Sequence, residues 1–275
     1  MKLGVSYIVF DGVELLEHSI KQIRDHVDWI QVIYQDRSWF GHPIPQEGMD
    51  TINRLKRSKL VDEVTNFTQF KVLPQGSHNA AKSFERRKRQ LGLDTCLRRG
   101  CTHYLCMDVD EFYVTEEFKW AKQEIINRGY TATSVKYINY VNIPTLHRGA
   151  DGATVPFICK INGTSKMSSA FFSKCDPTRG IVNGGSKNLM FSPSNIKMHH
   201  METVRKNLNI KYLATTRSLF NRNKTSQLVS NIRSVNEETK DFSFNKIIYP
   251  KTPRLNLHKV ENIFNIPWEE WNILK

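Results

Sequence analysis

In the first part of the chain, short apolar runs alternate with a stretch whose apolar residues follow a helical spacing. Residues 5–10 and 29–34 are short apolar runs typical of buried strands. Between them, residues 13–27 place Leu15 and Ile20 on one face at helical spacing. A strand–helix–strand unit of this kind usually binds its ligand at the carboxyl ends of the strands. We therefore predict a nucleotide-binding half, although no G-x-G-x-x-G motif marks a dinucleotide.

Similar patterns continue to about residue 215. Helices are predicted over 50–60, 80–99 and 116–128, and strands around Val64 and over 103–108, 131–141, 155–161 and 170–172, with a loop over 142–152. The remainder is basic at first, then mixed in charge, with helical stretches. We predict an α/β domain over residues 1–215 and a C-terminal extension over 216–275 that packs on it as a small helical appendage.

The stretch 103–113 combines an apolar strand with a dense group of acids. Asp108, Asp110 and Glu111 follow the apolar residues directly. Burying unpaired ions costs too much free energy, so the strand must end at the edge of the sheet, where positively charged groups meet the carboxylates. In an extended segment, Asp108 and Asp110 point the same way. Two such hard oxygen ligands suit Mg²⁺ or Mn²⁺ with a substrate phosphate, although a solvated acidic turn would give the same pattern.

A second apolar segment, residues 196–201, contains two adjacent histidines. One imidazole added to two carboxylates would complete a protein ligand set for Mn²⁺. Because neighbouring strand residues point in opposite directions, only one of His199 and His200 is expected to coordinate the metal. The alternative is that both are ordinary core or surface residues.

The net charge of +13 favours an anionic partner. The predicted helix over 80–99 carries seven cations, of which Arg89 is the one expected to face a diphosphate. The window 204–225 has no acid and six cations. In the polar loop after the second strand, Gln35 and Asp36 could bond a base or ribose, or could simply cap a turn.

Three further features bear on location. The five cysteines lack C-x-x-C spacing and are expected to be reduced thiols, with Cys96, Cys101 and Cys106 not converging. No apolar run reaches the ~18 residues of a membrane span, and residues 1–10 do not resemble a signal peptide. We therefore expect a cytoplasmic protein without an integral membrane segment, in the host cytoplasm if the chain is viral.

Taken together, these motifs resemble the family-2-like glycosyltransferases of the GT-A fold, including bacterial and viral members. The likeness covers roughly residues 3–215 and depends on Asp108-Val109-Asp110-Glu111-Phe112-Tyr113 after an apolar strand, followed by the late His199-His200 pair. It implies a Rossmann-like mixed sheet flanked by helices. The chain departs from the family where Gln35-Asp36-Arg37-Ser38 replaces the usual Asp-Asp-Gly-Ser.

The resemblance also implies roles for individual residues. Asp108 would face the nucleotide's ribose or the metal, Asp110 would bind the metal, and His199 or His200 would add a ligand. The Lys88-Arg89 pair matches a basic position that contacts the nucleotide in similar enzymes. The implied activity is metal-dependent transfer of a hexose or pentose from a nucleotide diphosphate sugar, UDP-linked by expectation, with Mn²⁺ or Mg²⁺ as cofactor.

An inverting enzyme of this kind needs a carboxylate that takes the acceptor's proton. Asp176 is the candidate and Glu202 the runner-up; a retaining enzyme would need neither. Asp176 before Pro177 is also a typical Asx-turn.

Two acceptors are consistent with the sequence: a hydroxymethylated pyrimidine in double-stranded viral DNA, which the charge favours, and a surface glycan. The alternative activity is that of a metal-dependent nucleic-acid-binding protein or nuclease, since nucleases also place carboxylates at strand ends.

Overall fold

The computed structural model describes residues 1–68, 71–214, 222–242 and 255–272. The strands are β1 Leu3–Val9, β2 Trp29–Tyr34, β3 Glu63–Asn66, β4 His103–Asp108, β5 Glu111–Phe112, β6 Ala132–Val141, β7 Ile143–Lys160, β8 Lys166–Ser168, β9 Gly180–Val182, β10 Asn188–Met190, β11 Met198–His200, β12 Asp241–Phe242, β13 Leu255–Asn256 and β14 His258–Lys259. The helices are α1 Val13–Ile23, α2 Gln46–Leu55, α3 His78–Arg98, α4 Thr115–Arg128, α5 Leu208–Ala214, α6 Arg222–Arg233 and α7 Trp268–Asn272.

The first half of the main sheet is parallel. β1 pairs with β2 on one side and with β4 on the other, and β3 pairs with β2. The chain thus builds β1, β2 and β3 outward in one direction and then returns to place β4 against the opposite edge of β1. This reversal of strand order makes the carboxyl ends of β1 and β4 a topological switch point, the place where open α/β sheets bind ligands in a crevice.

The second half of the sheet is mixed. β7 runs antiparallel to β4 and β6, β11 lies parallel to β6, and the short β5 pairs antiparallel with β11. In this last pair His200 lies opposite Glu111 and His199 opposite Phe112. The late histidines are therefore carried to the acid motif by strand pairing, across almost ninety residues of sequence. The predicted α/β class, a mixed sheet flanked by helices, is confirmed.

Apolar side chains cover both faces of the sheet. On one face α1, α2 and α4 pack against β1, β2 and β4, and Tyr113, Phe118 and Phe157 form an aromatic cluster with ring centroids 5.1–5.8 Å apart. On the other face lies α3, whose Leu93 packs in one cluster with Tyr104 of β4. Because both faces are buried, the strands read as continuous apolar runs, and polar groups collect at the strand ends.

Several predicted elements differ from the structure. The expected loop over 142–152 is instead part of β7, because Asn142, at a φ of 60°, reverses the chain at once and lets β7 pair back along β6. No strand forms over 170–172; the short strands β8, β9 and β10 lie on either side of that stretch. Short polar strands of three residues carry too little hydrophobic periodicity to be recognised.

The expectation that Cys96, Cys101 and Cys106 stay apart is wrong. All three belong to one buried cluster with Tyr104. The chain turns back directly after α3, so that the Cys101 amide donates to the Cys96 carbonyl at 2.9 Å. A hydrogen bond from Cys101 and burial together raise the pKa of the Cys96 thiol. All five cysteines are free.

The described part of the C-terminal extension is helical only in α6 and α7. It also supplies β12, β13 and β14, and β14 joins the main sheet by pairing with β7. Phe264 and Ile266 pack in one cluster with Phe112. Residues 215–221, 243–254 and 273–275 lie outside the described residues. Among the described helices, none combines the length and apolar character that crossing a membrane requires.

Gly92 allows α3 to approach the sheet closely. A Cβ at this position would lie 2.7 Å from the Ser6 Cβ and 2.8 Å from the Tyr104 hydroxyl. Glycine normally costs about 1 kcal/mol relative to alanine inside a helix. At this position overpacking should outweigh the usual gain from alanine. We therefore expect Gly92→Ala to lower the free energy of unfolding by about 2 kcal/mol, measured by urea denaturation.

Gly163→Ala is the matched control, because no atom lies within 4 Å of the added Cβ. Its unfolding free energy should change by less than about 0.5 kcal/mol. A Gly92→Ala protein more stable than the parent would show that α3 does not depend on this close contact.

Candidate functional site

The acid motif is a turn, not an extended segment. β4 ends at Asp108, residues 109–110 form a tight turn, and β5 begins at Glu111. The expectation that Asp108 and Asp110 project the same way from an extended strand is therefore wrong. In this turn Asp108, Asp110 and Glu111 each meet a different set of cations, although Arg179 lies near both Asp108 and Glu111. Each acid accordingly has its own chemical setting.

Asp108 lies at the open side of the crevice, with its side chain 32% exposed. Arg89 Nη2 is 3.0 Å from its Oδ1 and 3.2 Å from its Oδ2, and Arg179 Nη1 is 3.9 Å from Oδ2. Burial opposes ionisation, but Arg89 and Arg179 hold the pKa of Asp108 below its ordinary value. The predicted neighbour Arg89 is thus brought to Asp108, and Glu85 holds the same Nη2 at 2.6 Å.

Both arginines are almost fully buried behind the carboxylates. Arg179 forms a two-point ion pair with Glu111 and donates to the Cys106 carbonyl at 2.9 Å. Among the described residues, the Nε atoms of Arg89 and Arg179 are buried donors without an acceptor. A buried donor left unpaired costs free energy, and the two guanidinium groups hold fixed positive charge beside Asp108 and Glu111.

Glu111 has a structural task at the turn. Its second carboxylate oxygen accepts from the Asp108 amide at 3.1 Å as well as from Arg179 at 2.6 Å. The side chain is 2% exposed. Glu111 therefore fixes both the turn and Arg179, and it is the acid least accessible to a ligand.

Asp110 is buried and receives several cations on one oxygen. Its Oδ2 accepts from Arg205 and from Lys211 at 3.0 Å, and His200 Nε2 lies 3.6 Å away. Burial opposes ionisation, but Lys211, Arg205 and His200 together hold the pKa of Asp110 well below its ordinary value.

Arg205 joins the two strand ends of the crevice. Besides Asp110 it bonds Asp11, just after β1, at 2.8 Å, and its Nε donates to the Glu202 carbonyl at 3.1 Å. Gly12 makes room for it: a Cβ there would lie 2.7 Å from the Arg205 Cζ, and Gly12 also has a φ of 72°. The guanidinium group thus occupies a cradle prepared by the β1–α1 turn.

The two histidines of β11 face opposite ways. His200 Nδ1 lies 2.8 Å from Asn139 Oδ1, which leaves Nε2 directed at Asp110. His199 instead bonds Tyr140 at 2.9 Å, and its ring packs 5.0 Å from that of Phe264. Burial lowers the pKa of His199 to about 3, so it remains neutral. Of the two predicted ligands, only His200 lies beside a carboxylate of the motif.

Gln35 forms part of the scaffold at the end of β2. Its Nε2 donates to the Arg37 carbonyl at 2.8 Å, and its Oε1 accepts from Lys88 at 3.0 Å. Lys88 also donates to the Val9 carbonyl at 2.8 Å, at the end of β1. Asp36 is exposed, and its carbonyl accepts from the Ile44 amide at 2.8 Å. The Gln35 side chain thus ties the loop down, while the Asp36 carboxylate faces solvent.

Asp176 forms the Asx-type turn that its sequence context suggested. Its Oδ1 accepts from the Thr178 amide and hydroxyl, both at 2.7 Å. Partial burial opposes ionisation, but these bonds and the charges of Arg89 and Arg179 hold the pKa of Asp176 below its ordinary value. Asp176 is therefore an ionised carboxylate in electrostatic reach of both arginines. Glu202 lies in the turn after β11, where its carbonyl holds Arg205.

Within the described part of the chain, no three His, Cys, Asp or Glu side chains converge to hold a metal ion. Two potential donors do converge: Asp110 and the Nε2 of His200, whose other nitrogen is oriented by Asn139 in the manner of many metal-bound histidines. Mg²⁺ characteristically takes one or two protein ligands together with substrate phosphates. Asp110 and His200 fit that smaller role.

Arg205, Lys211, Asp11 and Glu85 escaped the sequence reasoning as site residues. Arg205 and Lys211 belong to the basic window 204–225, whose charge favours DNA as the acceptor and not a role in the site. Asp11 and Gly12, directly after the first apolar run, have the composition of a turn, which does not single out Asp11 as a site residue. The density of acids in 108–111 does require buried cations, but it does not say which of forty lysines and arginines supply them.

No family model and no curated protein matches the sequence. Among solved structures, similarity is found to TarS of S. aureus, with 12% identity and a TM-score of 0.35 over 50% of this chain and 22% of that one. A TarS 1–349 complex with UDP-GlcNAc gives 12% identity and a TM-score of 0.35 over 50% of this chain and 35% of that one.

The mannosyltransferase PcManGT of Pyrobaculum calidifontis, in complex with GDP-Man and Mn²⁺, gives 13% identity and a TM-score of 0.31 over 52% of this chain and 36% of that one. The matched region thus spans about a fifth to a third of these chains. Similarity at TM-scores this low assigns no function to the chain.

Lys88 provides a test of the electrostatics at the end of β1. Burial lowers the pKa of its amine to about 7, against about 10.4 in an unfolded chain. Between these values the unfolded state binds more protons, so stability should increase as pH rises through this window. Relative to Lys88→Met, which cannot titrate, we expect the parent to gain about 2 kcal/mol of unfolding free energy from pH 6.5 to 9.

Urea denaturation of both proteins across this pH range measures the difference. Lys119→Met, at an exposed position of α4, is the matched control and should show no such trend. A pH-independent gap between parent and Lys88→Met would mean that the buried amine does not titrate in this range.

Proposed function

We propose that the chain is a glycosyltransferase of GT-A type that transfers a sugar from a nucleotide diphosphate sugar to a hydroxyl acceptor. The observation that carries this proposal is the place of the acid motif. Asp108 closes β4 at the point where the strand order reverses, opposite the Asp11 end of β1. A crevice of this kind is where α/β sheets bind nucleotides.

The charge balance of the crevice fits a metal and a diphosphate that bind together. Five acids and four cations meet there in ion pairs: Asp11, Glu85, Asp108, Asp110 and Glu111 with Arg89, Arg179, Arg205 and Lys211. A divalent cation alone would add positive charge to a nearly balanced site, and a diphosphate alone would add negative charge. Each offsets the other, so we expect the two to bind cooperatively.

Asp110 and His200 are the residues that would hold Mn²⁺ or Mg²⁺, with Asp108 at the exposed side of the crevice. The ion, when bound, would act as a Lewis acid on the diphosphate. The protein's own part is electrostatic: Arg89 and Arg179 lie fixed behind the carboxylates, with unpaired donors, where they stabilise charge that builds on the leaving nucleotide.

Asp176 is the proposed base for the acceptor hydroxyl, with Glu202 as the second candidate. One carboxylate oxygen of Asp176 is used by Thr178, so the second is the one proposed to take the proton. Its ionised state near Arg89 and Arg179 suits a proton acceptor. At the nucleoside end of the crevice, we assign the ribose or base contact to the solvent-facing Asp36, while Gln35 orients the loop through Lys88.

The pairing of the basic window's cations bears on the choice of acceptor, for which the sequence favours DNA. In the basic window 204–225, the cations with described side chains are Arg205, Lys206 and Lys211, and each pairs with a carboxylate. Lys206 bonds Glu47 at 2.6 Å. These side chains pair within the crevice and at its edge, so the window no longer favours DNA, and we propose a glycan hydroxyl as the acceptor.

Donor binding is measured by isothermal titration of UDP and GDP, with and without Mn²⁺. We expect one nucleoside diphosphate to bind at least tenfold more tightly with Mn²⁺ present, and Asp110→Asn to remove most of that gain. Asp50→Asn, on the exposed surface of α2, is the matched control and should behave as the parent does. Failure of every nucleoside diphosphate to bind, with or without metal, would refute the assignment.

The acceptor class is tested by incubating the protein with labelled donor and either hydroxymethylated duplex DNA or a hydroxyl-bearing oligosaccharide. Because the described cations of the basic window are already paired, we expect no gel shift of DNA at 150 mM salt and label only on the saccharide. A steeply salt-dependent shift with label on the DNA would reverse this choice. Nicking of plasmid in Mg²⁺, without label transfer, would support the nuclease alternative.

A further inference from the structure

Asp110 must be neutralised whether or not a ligand is bound. Its side chain is 4% exposed, and an uncompensated carboxylate at such depth would destabilise the fold strongly. Two protein cations share the task, Arg205 and Lys211, both on Oδ2. They differ in how firmly the rest of the chain holds them.

Arg205 is held by contacts with several segments of the chain. Its guanidinium group bonds Asp11 and the Glu202 carbonyl and lies in the cradle above Gly12. Its own carbonyl accepts from Arg233 at 2.6 Å. Moving the guanidinium group away from Asp110 would also break its bonds to Asp11 and to the Glu202 carbonyl. Arg205 is therefore a permanent counter-ion.

Lys211 is held much more loosely. The contact described for its ammonium group is the one to Asp110 at 3.0 Å, its side chain is 14% exposed, and it stands on the seven-residue helix α5. An ammonium group on a flexible four-carbon stem is a compact point charge that water solvates well, unlike a bidentate guanidinium. Lys211 can leave Asp110 at little cost, provided that another cation replaces it.

The place that Lys211 occupies is also the place that suits a metal. Its Nζ and the Nε2 of His200 both face Oδ2 of Asp110, at 3.0 and 3.6 Å. The Nδ1 of His200 is engaged by Asn139, so Nε2 has no described hydrogen bond beyond its approach to Asp110. A divalent ion held between Asp110 and His200 would therefore meet the same carboxylate oxygen as the Lys211 ammonium group.

We propose that Lys211 is a tethered counter-ion that occupies the divalent cation's place on Asp110 in the unliganded protein and is displaced when metal and donor bind. This inference rests on the proposed function. It explains how Asp110 stays ionised in a buried site before the metal arrives. It also makes Lys211 an internal competitor that weakens metal binding in the absence of donor.

The test measures Mn²⁺ affinity directly, from the electron paramagnetic resonance signal of free Mn²⁺, with and without UDP. Lys211→Met and Lys211→Gln remove the competitor, and both should bind Mn²⁺ alone at least tenfold more tightly than the parent. Lys211→Arg keeps a cation and should not gain affinity. Lys259→Met, which removes the same charge from an exposed ion pair with Glu237, is the matched control.

A combined Lys211→Met, Asp110→Asn protein separates competition from a general change in charge, since its gain in Mn²⁺ affinity should vanish. If the parent binds UDP but neither Lys211→Met nor Lys211→Gln binds Mn²⁺ more tightly, the counter-ion role is wrong and the proposed function stands. If the parent binds no nucleoside diphosphate at all, the proposed function fails and this inference fails with it. Thermal melting of each variant establishes that it is folded.

Discussion

The buried ion pair between Arg205 and Asp110 is the interaction on which the rest of the crevice depends. It brings a residue from beyond β11 into contact with the β4–β5 turn, and through Asp11 it fastens both to the end of β1. Pairing of this kind adds little net stability over apolar packing, but losing one partner is severe. Its value here is geometric, because it fixes where Asp110, His200 and the turn stand relative to one another.

The sequence predicts the elements whose buried residues follow a regular hydrophobic spacing. The first strand–helix–strand unit, the strand that ends in Asp108 and the helix that carries Arg89 follow from hydrophobic period and turn residues. The opposite directions of His199 and His200 follow from strand alternation. In each case a local pattern decides the outcome, and the tertiary structure agrees with it.

Ion pairs between residues far apart in the sequence could not be predicted in this way. Nothing local distinguishes Arg205 and Lys211, which meet buried acids, from the exposed Lys119 of the same charge. The alternation of residues in the D-x-D segment predicts an extended strand, whereas the structure has a turn in which Asp110 meets Arg205 and Lys211, while Arg179 lies near both Asp108 and Glu111. The buried Lys88 was likewise hidden among seven cations of one helix. Such partners become visible only when the fold brings distant segments together.

The distance in sequence between Asp11 and Arg205, 194 positions, has a consequence for synthesis and folding. Contacts that close such long loops form late, because the chain entropy they cost is recovered only when the intervening sheet is in place. During translation the β1–β4 half can assemble while the acids at its rim still lack their most distant cation. The crevice is thus complete only after the chain has been made through Arg205, and a ligand that selects it reports on assembly of the sheet from β1 to β11.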